Sequence, residues 1–340
     1  MKKILVIAPS WVGDSVMAQP LYRRLHERHP GLELHVFAPQ WTLPLLARMP
    51  EVARAHLNPF GHGALRLPAR WRLGRELARE RFDQVIVLPN SLKSALIPLF
   101  AGIRRRTGFI GESRFGLLND ARELDENQLP KMVERFYALA EDKNQPITRP
   151  IPLPHIVVEP AAQAATLAQL GLSGERPIAA FCPGAEYGPA KRWPARHFAE
   201  LARRFDAAGF AVWLFGSGKD RDIADDIVAR CGSAVNLCGR TGLDQAIDLM
   251  GLARIAVCND SGLMHVAAAL DIPLVALYGS SSPDFTPPLS SRATVVSLDL
   301  DCSPCFERNC PFGHTDCLEK MEPERVWRAA RELMPEALPQ

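Results

Sequence analysis

The chain has no run of about 18 apolar residues, the length a membrane-spanning helix needs. At its N-terminus, Met1-Lys2-Lys3 precedes an apolar run of only Ile4 to Ala8, closed by Pro9. That is too short for a secretory signal and reads as a first β-strand, so a cytoplasmic protein is expected. A P-loop is missing, and so is Gly-x-Gly-x-x-Gly after the first strand, which weakens ATPase and dehydrogenase readings. The net charge of +2 gives no global case for nucleic acid as a partner. No sequence repeat relates one half to the other.

What is present points to an α/β protein. A content of 47% hydrophobic and 23% charged residues is that of a soluble globular chain, and 340 residues favour two domains. Strands are expected over Lys3–Ala8, Leu34–Ala38 and Gln84–Leu88, with a helix over Ser15–His29 whose first turn Pro20 bends or resets. Prolines crowd Gln145–Pro160 and mark a stiff linker. The alternation then restarts, with strands over Ile178–Cys182, Ala211–Phe215, Val235–Leu237, Ile255–Cys258 and Pro273–Tyr278. Two Rossmann-like domains facing across a cleft follow, residues 1–155 and 156–322, with a last helix in 323–340.

Parallel sheets bind ligands beyond the carboxyl ends of their strands, so the chemistry is sought there. The stretch Arg254–Tyr278 reads as strand, capped helix and strand, with Asn259-Asp260-Ser261-Gly262 at the first strand end. Asp260 or Ser261 can cap the helix, Gly262 admits a ligand to the backbone, and the free N–H groups suit a phosphate. His265 faces the same opening, unless it is a structural histidine beside an ordinary helix cap. Pro183-Gly184-Ala185 and Gly216-Ser217-Gly218-Lys219-Asp220 end two other strands, as ligand loops or as tight turns. Asp14, behind Gly13 at the end of strand one, is either a helix N-cap or a general base, and Ser15 can cap in its place. Lys191, before Trp193-Pro194, is a solvated loop lysine or a counter-charge to a departing diphosphate.

Four cysteines, Cys302, Cys305, Cys310 and Cys317, gather near the C-terminus with spacing Cys-x2-Cys-x4-Cys-x6-Cys. In a reducing compartment that suggests a structural zinc, with His314 as a possible replacement ligand, while free thiols or disulfides stay open. Arginines cluster over Arg66–Arg81, either as solvated helical faces or as partners for anionic groups, and again at Arg104-Arg105-Arg106.

Taken in order, Gly13-Asp14, Pro183-Gly184-Ala185 running to Lys191-x-Trp193-Pro194, and Asp260-Ser261-Gly262-Leu263-Met264-His265 resemble the ADP-heptose:lipopolysaccharide heptosyltransferases. That family consists of inverting glycosyltransferases with the GT-B fold, and the likeness spans nearly the whole chain. Its length, its Ala8–Asp14 segment and its cysteine cluster are most similar to members that add the second inner-core heptose. The resemblance implies Asp14 as catalytic base and Lys191 as a phosphate contact that assists catalysis. It implies a donor site, for ADP-heptose, of Gly184, Gly216, Asp220, Asp260, Ser261, Gly262 and His265. Relatives carry a glutamate near Gly218, so this chain departs there, with Lys219 or Asp220 available for the ribose. The implied acceptor is heptosyl-Kdo2-lipid A at the inner face of the cytoplasmic membrane, with Arg104, Arg105 and Arg106 pairing its anionic groups. No cofactor is required, and the last helix is expected to return towards the N-terminal domain.

Overall fold

A computed structural model describes residues 1–61 and 63–338 of the chain. Pro339 and Gln340, the end of the segment expected as the last helix, lie outside the described residues. The chain divides into two compact units, Met1–Leu153 and Pro154–Gln340, and the join falls inside the proline-rich stretch.

The first unit holds β1 (Lys3–Ile7), β2 (Glu33–Pro39), β3 (Arg54–Asn58), β4 (Gln84–Val87), β5 (Arg105–Phe109) and β6 (Asp120–Arg122). All pair in parallel in the order β3-β2-β1-β4-β5-β6. Ile4, Leu5, Val6 and Ile7 are buried, as they must be in a sheet covered on both faces. Strand order reverses between β1 and β4, which opens a crevice at the carboxyl end of β1. The single helix expected over Ser15–His29 is two, Val12–Met17 and Gln19–Arg28, with Pro20 in the first turn of the second. Sequence periodicity missed β3, β5 and β6. Their segments RAHLN, RRTGF and DAR place charged side chains where hydrophobic alternation is the only strand signal.

At the amino end of this sheet, His35 Nδ1 lies 2.8 Å from His56 Nε2, and His35 Nε2 lies 2.7 Å from Glu33. The Phe82 ring stands edge-on to both imidazoles. Lys3, Arg54 and Glu80 complete the charged surroundings. Burial holds His35 below its ordinary pKa and brings His56 down to about 4, the nearby cations adding to the shift. Folding therefore favours the neutral rings. Their contribution is present in full above the ordinary value of 6.5 and is lost as pH falls from there towards 4. The thermal midpoint of the protein should drop across that interval, and His56→Gln should flatten the drop. An unchanged slope in the variant would assign the acid sensitivity to other groups.

The second unit repeats the plan with β7 (Ile178–Cys182), β8 (Ala211–Leu214), β9 (Val235–Asn236), β10 (Ala253–Asn259), β11 (Leu274–Leu277) and β12 (Ala293–Val296). Their order is β12-β11-β10-β7-β8-β9, again all parallel, and here the reversal falls between β7 and β10. Phe181, Trp193, Phe198 and Phe205 fill the core on one face. The last helix, Pro323–Leu333, buries Val326, Trp327, Ala329 and Ala330 against the Ala195–Ala207 helix, β11 and β12. Its Trp327 ring stands edge-on to Phe205 at 5.1 Å. The packing seen for this helix is thus within the second unit, where its apolar stripe finds a partner. Among the described residues, no helix is long and apolar enough to cross a membrane.

Candidate active site

In the second unit the strand-order reversal sets two loops side by side. β10 runs out at Asn259, and the helix Gly262–Ala269 starts after Asp260 and Ser261. Asn259 is fully buried, and its amide donates to the Pro183 carbonyl at 2.7 Å while its Oδ1 accepts from the Trp193 N–H at 3.1 Å. One side chain therefore fixes the β7 loop, the Lys191–Trp193 segment and the β10 loop in mutual register. Lys191 Nζ reaches Asp260 Oδ2 at 2.5 Å, and the buried Ser281 hydroxyl donates to the same oxygen at 2.5 Å. The Tyr187 ring carries Lys191 Nζ at 4.9 Å and the Arg308 guanidinium at 5.1 Å.

Three polar atoms around this helix N-terminus are buried without a partner: Ser261 Oγ, His265 Nδ1 and Ser280 Oγ. Buried polar groups are ordinarily satisfied, so three orphans beside the free N–H groups of one helix leave hydrogen bonds for a polar ligand to make. Burial brings His265 down to about 4, with the Lys191 charge adding to the shift and Asp260 opposing it. At neutral pH its ring is uncharged. It can exchange hydrogen bonds with a phosphate but cannot neutralise one. Lys191, held in place by Asp260, stands with the helix N-terminus and the neighbouring guanidinium as the positive groups that an anion would meet here.

The glycines expected to admit the donor have another reason to be glycine. A Cβ on Gly184 would stand 2.3 Å from the Asp220 carboxyl carbon, and one on Gly216 would stand 2.9 Å from both Asp220 Cβ and Cys238 Sγ. Asp220 itself is buried, and its Oδ2 accepts from the Ser217 N–H at 2.9 Å and the Ser217 hydroxyl at 2.8 Å. Gly184, Gly216 and Asp220 thus form a tie between the β7 and β8 loops. Lys219 is exposed and pairs with Glu186.

In the first unit, Asp14 lies in the first turn of the Val12–Met17 helix, directly beyond β1. The cap position belongs to Trp11, whose backbone is extended and whose side chain makes no cap bond. Ser15 does not cap either, since its hydroxyl donates back to the Trp11 carbonyl at 2.9 Å. Both capping alternatives for this segment therefore fall away, because the helix starts earlier than the sequence suggests. Trp41 donates its indole N–H to the Ser10 carbonyl at 2.7 Å and sets an exposed ring beside the same loop.

Arg104, Arg105 and Arg106 stand elsewhere. Arg105 opens β5 level with Gln84 and Ile4, at the amino end of the sheet, whereas Asp14 follows the carboxyl end. Arg105 pairs with Asp120 at 3.0 Å, and Arg106 donates to the Leu117 and Ile103 carbonyls at 2.6 and 2.8 Å. The structure does not bring this trio to the rim that carries Asp14. Local sequence cannot reveal this, because a basic run looks the same at either end of a strand.

All eight cysteines are free, and among the described residues no three His, Cys, Asp or Glu side chains are placed to hold a metal. The four C-terminal thiols are nevertheless neighbours. Burial, with Cys302, Cys305 and Cys310 close by, pushes Cys317 up to about 11. Backbone N–H groups of Thr315, Phe312, Gly313 and His314 hold Cys310 below its ordinary value. The loop they occupy braces the site: the Phe306 N–H donates to Ser280 O at 2.6 Å, and Tyr187 O–H and Ala190 N–H donate to the Phe306 and Arg308 carbonyls. Sequence reading missed Asn259, Ser281, Tyr187 and Arg308. For Asn259, Ser281 and Tyr187 the one available signal was position in loops at strand ends already marked by glycine, whereas Arg308, in the cysteine loop, had none.

The family model of glycosyltransferase family 9 (heptosyltransferase) matches residues 70–316. The chain belongs to this family. It is a glycosyltransferase of GT-B fold. Lipopolysaccharide heptosyltransferase 2 of Escherichia coli K12 is 50% identical over 334 residues, covering 95% of this chain and 96% of that one. Its counterpart in Salmonella typhimurium is 49% identical, covering 98% and 99%. The solved structure of E. coli ADP-heptose lps heptosyltransferase II matches with a TM-score of 0.89 at 48% identity, covering 99% of each chain. E. coli heptosyltransferase WaaC with ADP shares the fold, with a TM-score of 0.73 at 18% identity over 98% of this chain and 100% of that one.

Proposed function

We propose that this family 9 enzyme transfers L-glycero-D-manno-heptose from ADP-heptose to the first heptose of heptosyl-Kdo2-lipid A, with inversion. The observation that carries the donor half is the set of unpartnered polar atoms at the Gly262–Ala269 helix N-terminus, beside Lys191. Asp260, Ser261, Gly262 and His265 line the diphosphate site, and Lys191 and the helix N-terminus stabilise ADP as it leaves. Gly184, Gly216 and Asp220 hold the donor loops in shape. Asp14 takes the proton of the acceptor hydroxyl, which attacks the anomeric carbon from the face opposite ADP. The reaction calls for no cofactor, since lysine and helix dipole supply the positive charge at the leaving group. The enzyme acts in the cytoplasm, peripherally at the inner membrane, where its lipid-linked acceptor lies.

ADP release from ADP-heptose, with and without heptosyl-Kdo2-lipid A, tests the reading. Release that depends on the acceptor is expected. Turnover of donor alone would favour a sugar-nucleotide epimerase, and no release in either case a non-catalytic binding module.

A separate proposal concerns Cys302, Cys305, Cys310 and Cys317, whose spacing opens with a metal knuckle and whose thiolates would have to draw together onto one structural zinc, pinning the loop against Tyr187 and Ser280. The four backbone N–H groups directed at Cys310 support it, since such groups stabilise a thiolate. Elemental analysis of protein purified without chelator should then find about one zinc per chain. Metal-free protein with four readily titrated thiols would end the idea.

A further inference from the structure

The first unit wears its large apolar side chains in an uneven way. Trp11, Trp41, Leu65, Leu67, Trp71, Ile110 and Phe115 are each more than two-fifths exposed, and Phe115 is 85% exposed. All follow the carboxyl ends of β1, β2, β3 or β5, so they share one rim. The densest part is the start of the Leu67–Leu77 helix. That helix buries Arg70, Gly74 and Leu77 and turns Leu67 and Trp71, one turn apart, outward together with Arg72 and Arg75. Leu65 and Arg66 precede it, both exposed. Arg70 Nη1 donates to the Lys93 carbonyl, the Leu92 N–H donates to Glu112, and Arg114 donates to the Pro89 carbonyl. These bonds place the helix start, the loop after β4 and the Phe115 loop next to one another.

We infer that this corner, Leu65, Leu67, Trp71 and Phe115 ringed by Arg66, Arg72 and Arg75, docks on the surface of an anionic phospholipid bilayer. Exposed Trp, Leu and Phe beside arginine is the composition that lies in a membrane interface, the rings at headgroup depth and the guanidinium groups on lipid phosphates. Charge selects the occupant. The acids exposed on this corner are Glu76 and Glu112, and Glu112 is engaged by the Leu92 N–H. Glu80, further along, is taken by Lys3 and Arg54. The chain as a whole is nearly neutral at +2, so the attraction is local and orients the rim towards the lipid. The inference extends the reading of a lipid-linked acceptor but is tested without one.

The full chain is mixed with vesicles of phosphatidylethanolamine and phosphatidylglycerol, free of any glycolipid, and floated on a density gradient. It should float with these vesicles and stay behind with pure phosphatidylcholine. Higher ionic strength should weaken the binding. The double variant Leu67→Ser/Trp71→Ser should lose about tenfold or more in partitioning, since two of the four apolar anchors are gone. Arg66→Glu/Arg72→Glu should lose the preference for anionic lipid. Thermal melts check that each variant is folded, and turnover of a deacylated, water-soluble acceptor should stay within about twofold of wild type. Wild-type protein that remains unbound, or folded variants that float as it does, would overturn the inference. So would an equal loss of turnover on the soluble acceptor, which would make the corner a sugar contact.

Discussion

Replacing Asp14 by Asn should lower turnover by about 10²–10⁴-fold and leave the affinity for donor nearly unchanged. Asn keeps the size of the side chain in the first turn of its helix. It gives up a carboxylate–dipole attraction of about 0.3–1 kcal/mol, and a thermal melt checks that the protein stays folded. It cannot accept a proton from an attacking hydroxyl. Saturation kinetics with both substrates, together with calorimetric titration of the donor, separate the two effects. A variant that turns over close to the wild-type rate would remove Asp14 from the chemistry. Such a result would leave the donor site standing, because that site rests on residues of the other unit.

Lys191→Met should cost about 10²–10³-fold in turnover, the usual loss when one preorganised charge at a leaving group is removed. A second effect comes with it. Asp260 has only 5% of its side chain exposed, and without Lys191 its charge keeps the Ser281 hydroxyl but no counter-charge among the described ion pairs. An unpaired carboxylate in that position destabilises the fold, by about 3–5 kcal/mol where burial is complete. Lys191→Met/Asp260→Asn separates the two consequences. The double variant should regain most of the lost stability, because no charge is stranded, yet remain slow. Recovery of turnover along with stability would mean that Lys191 serves only to neutralise Asp260.

Much of the architecture was legible before any coordinates. Lys3–Ile7, Ile178–Cys182 and Ala253–Asn259 are strands because apolar runs this short, bounded by turn residues, fit a buried strand better than a helix. The loops after them, with Asp14, Gly184 and Asp260, followed from the rule that parallel sheets bind at their carboxyl ends. Where the polar segment Arg54–Asn58 and the basic one Arg105–Phe109 went was not legible. Pairing with β2 and β4, rather than hydrophobic pattern, makes them strands.

The same distinction runs through the site. Sequence alone determined the strand ends, the helix that begins at Gly262 and the residue types suited to a diphosphate, because these depend on local pattern and backbone geometry. Tertiary structure decided that Lys191 is held by Asp260, that Asn259 and Ser281 hold both in place, and that Gly184 and Gly216 make room for Asp220. It also sent Arg104, Arg105 and Arg106 to the amino end of their sheet, where two of the three find structural partners. The physical reason is common to all of them. A side chain's role depends on which distant atoms share its few ångströms of space, and sheet pairing between segments far apart in sequence sets that.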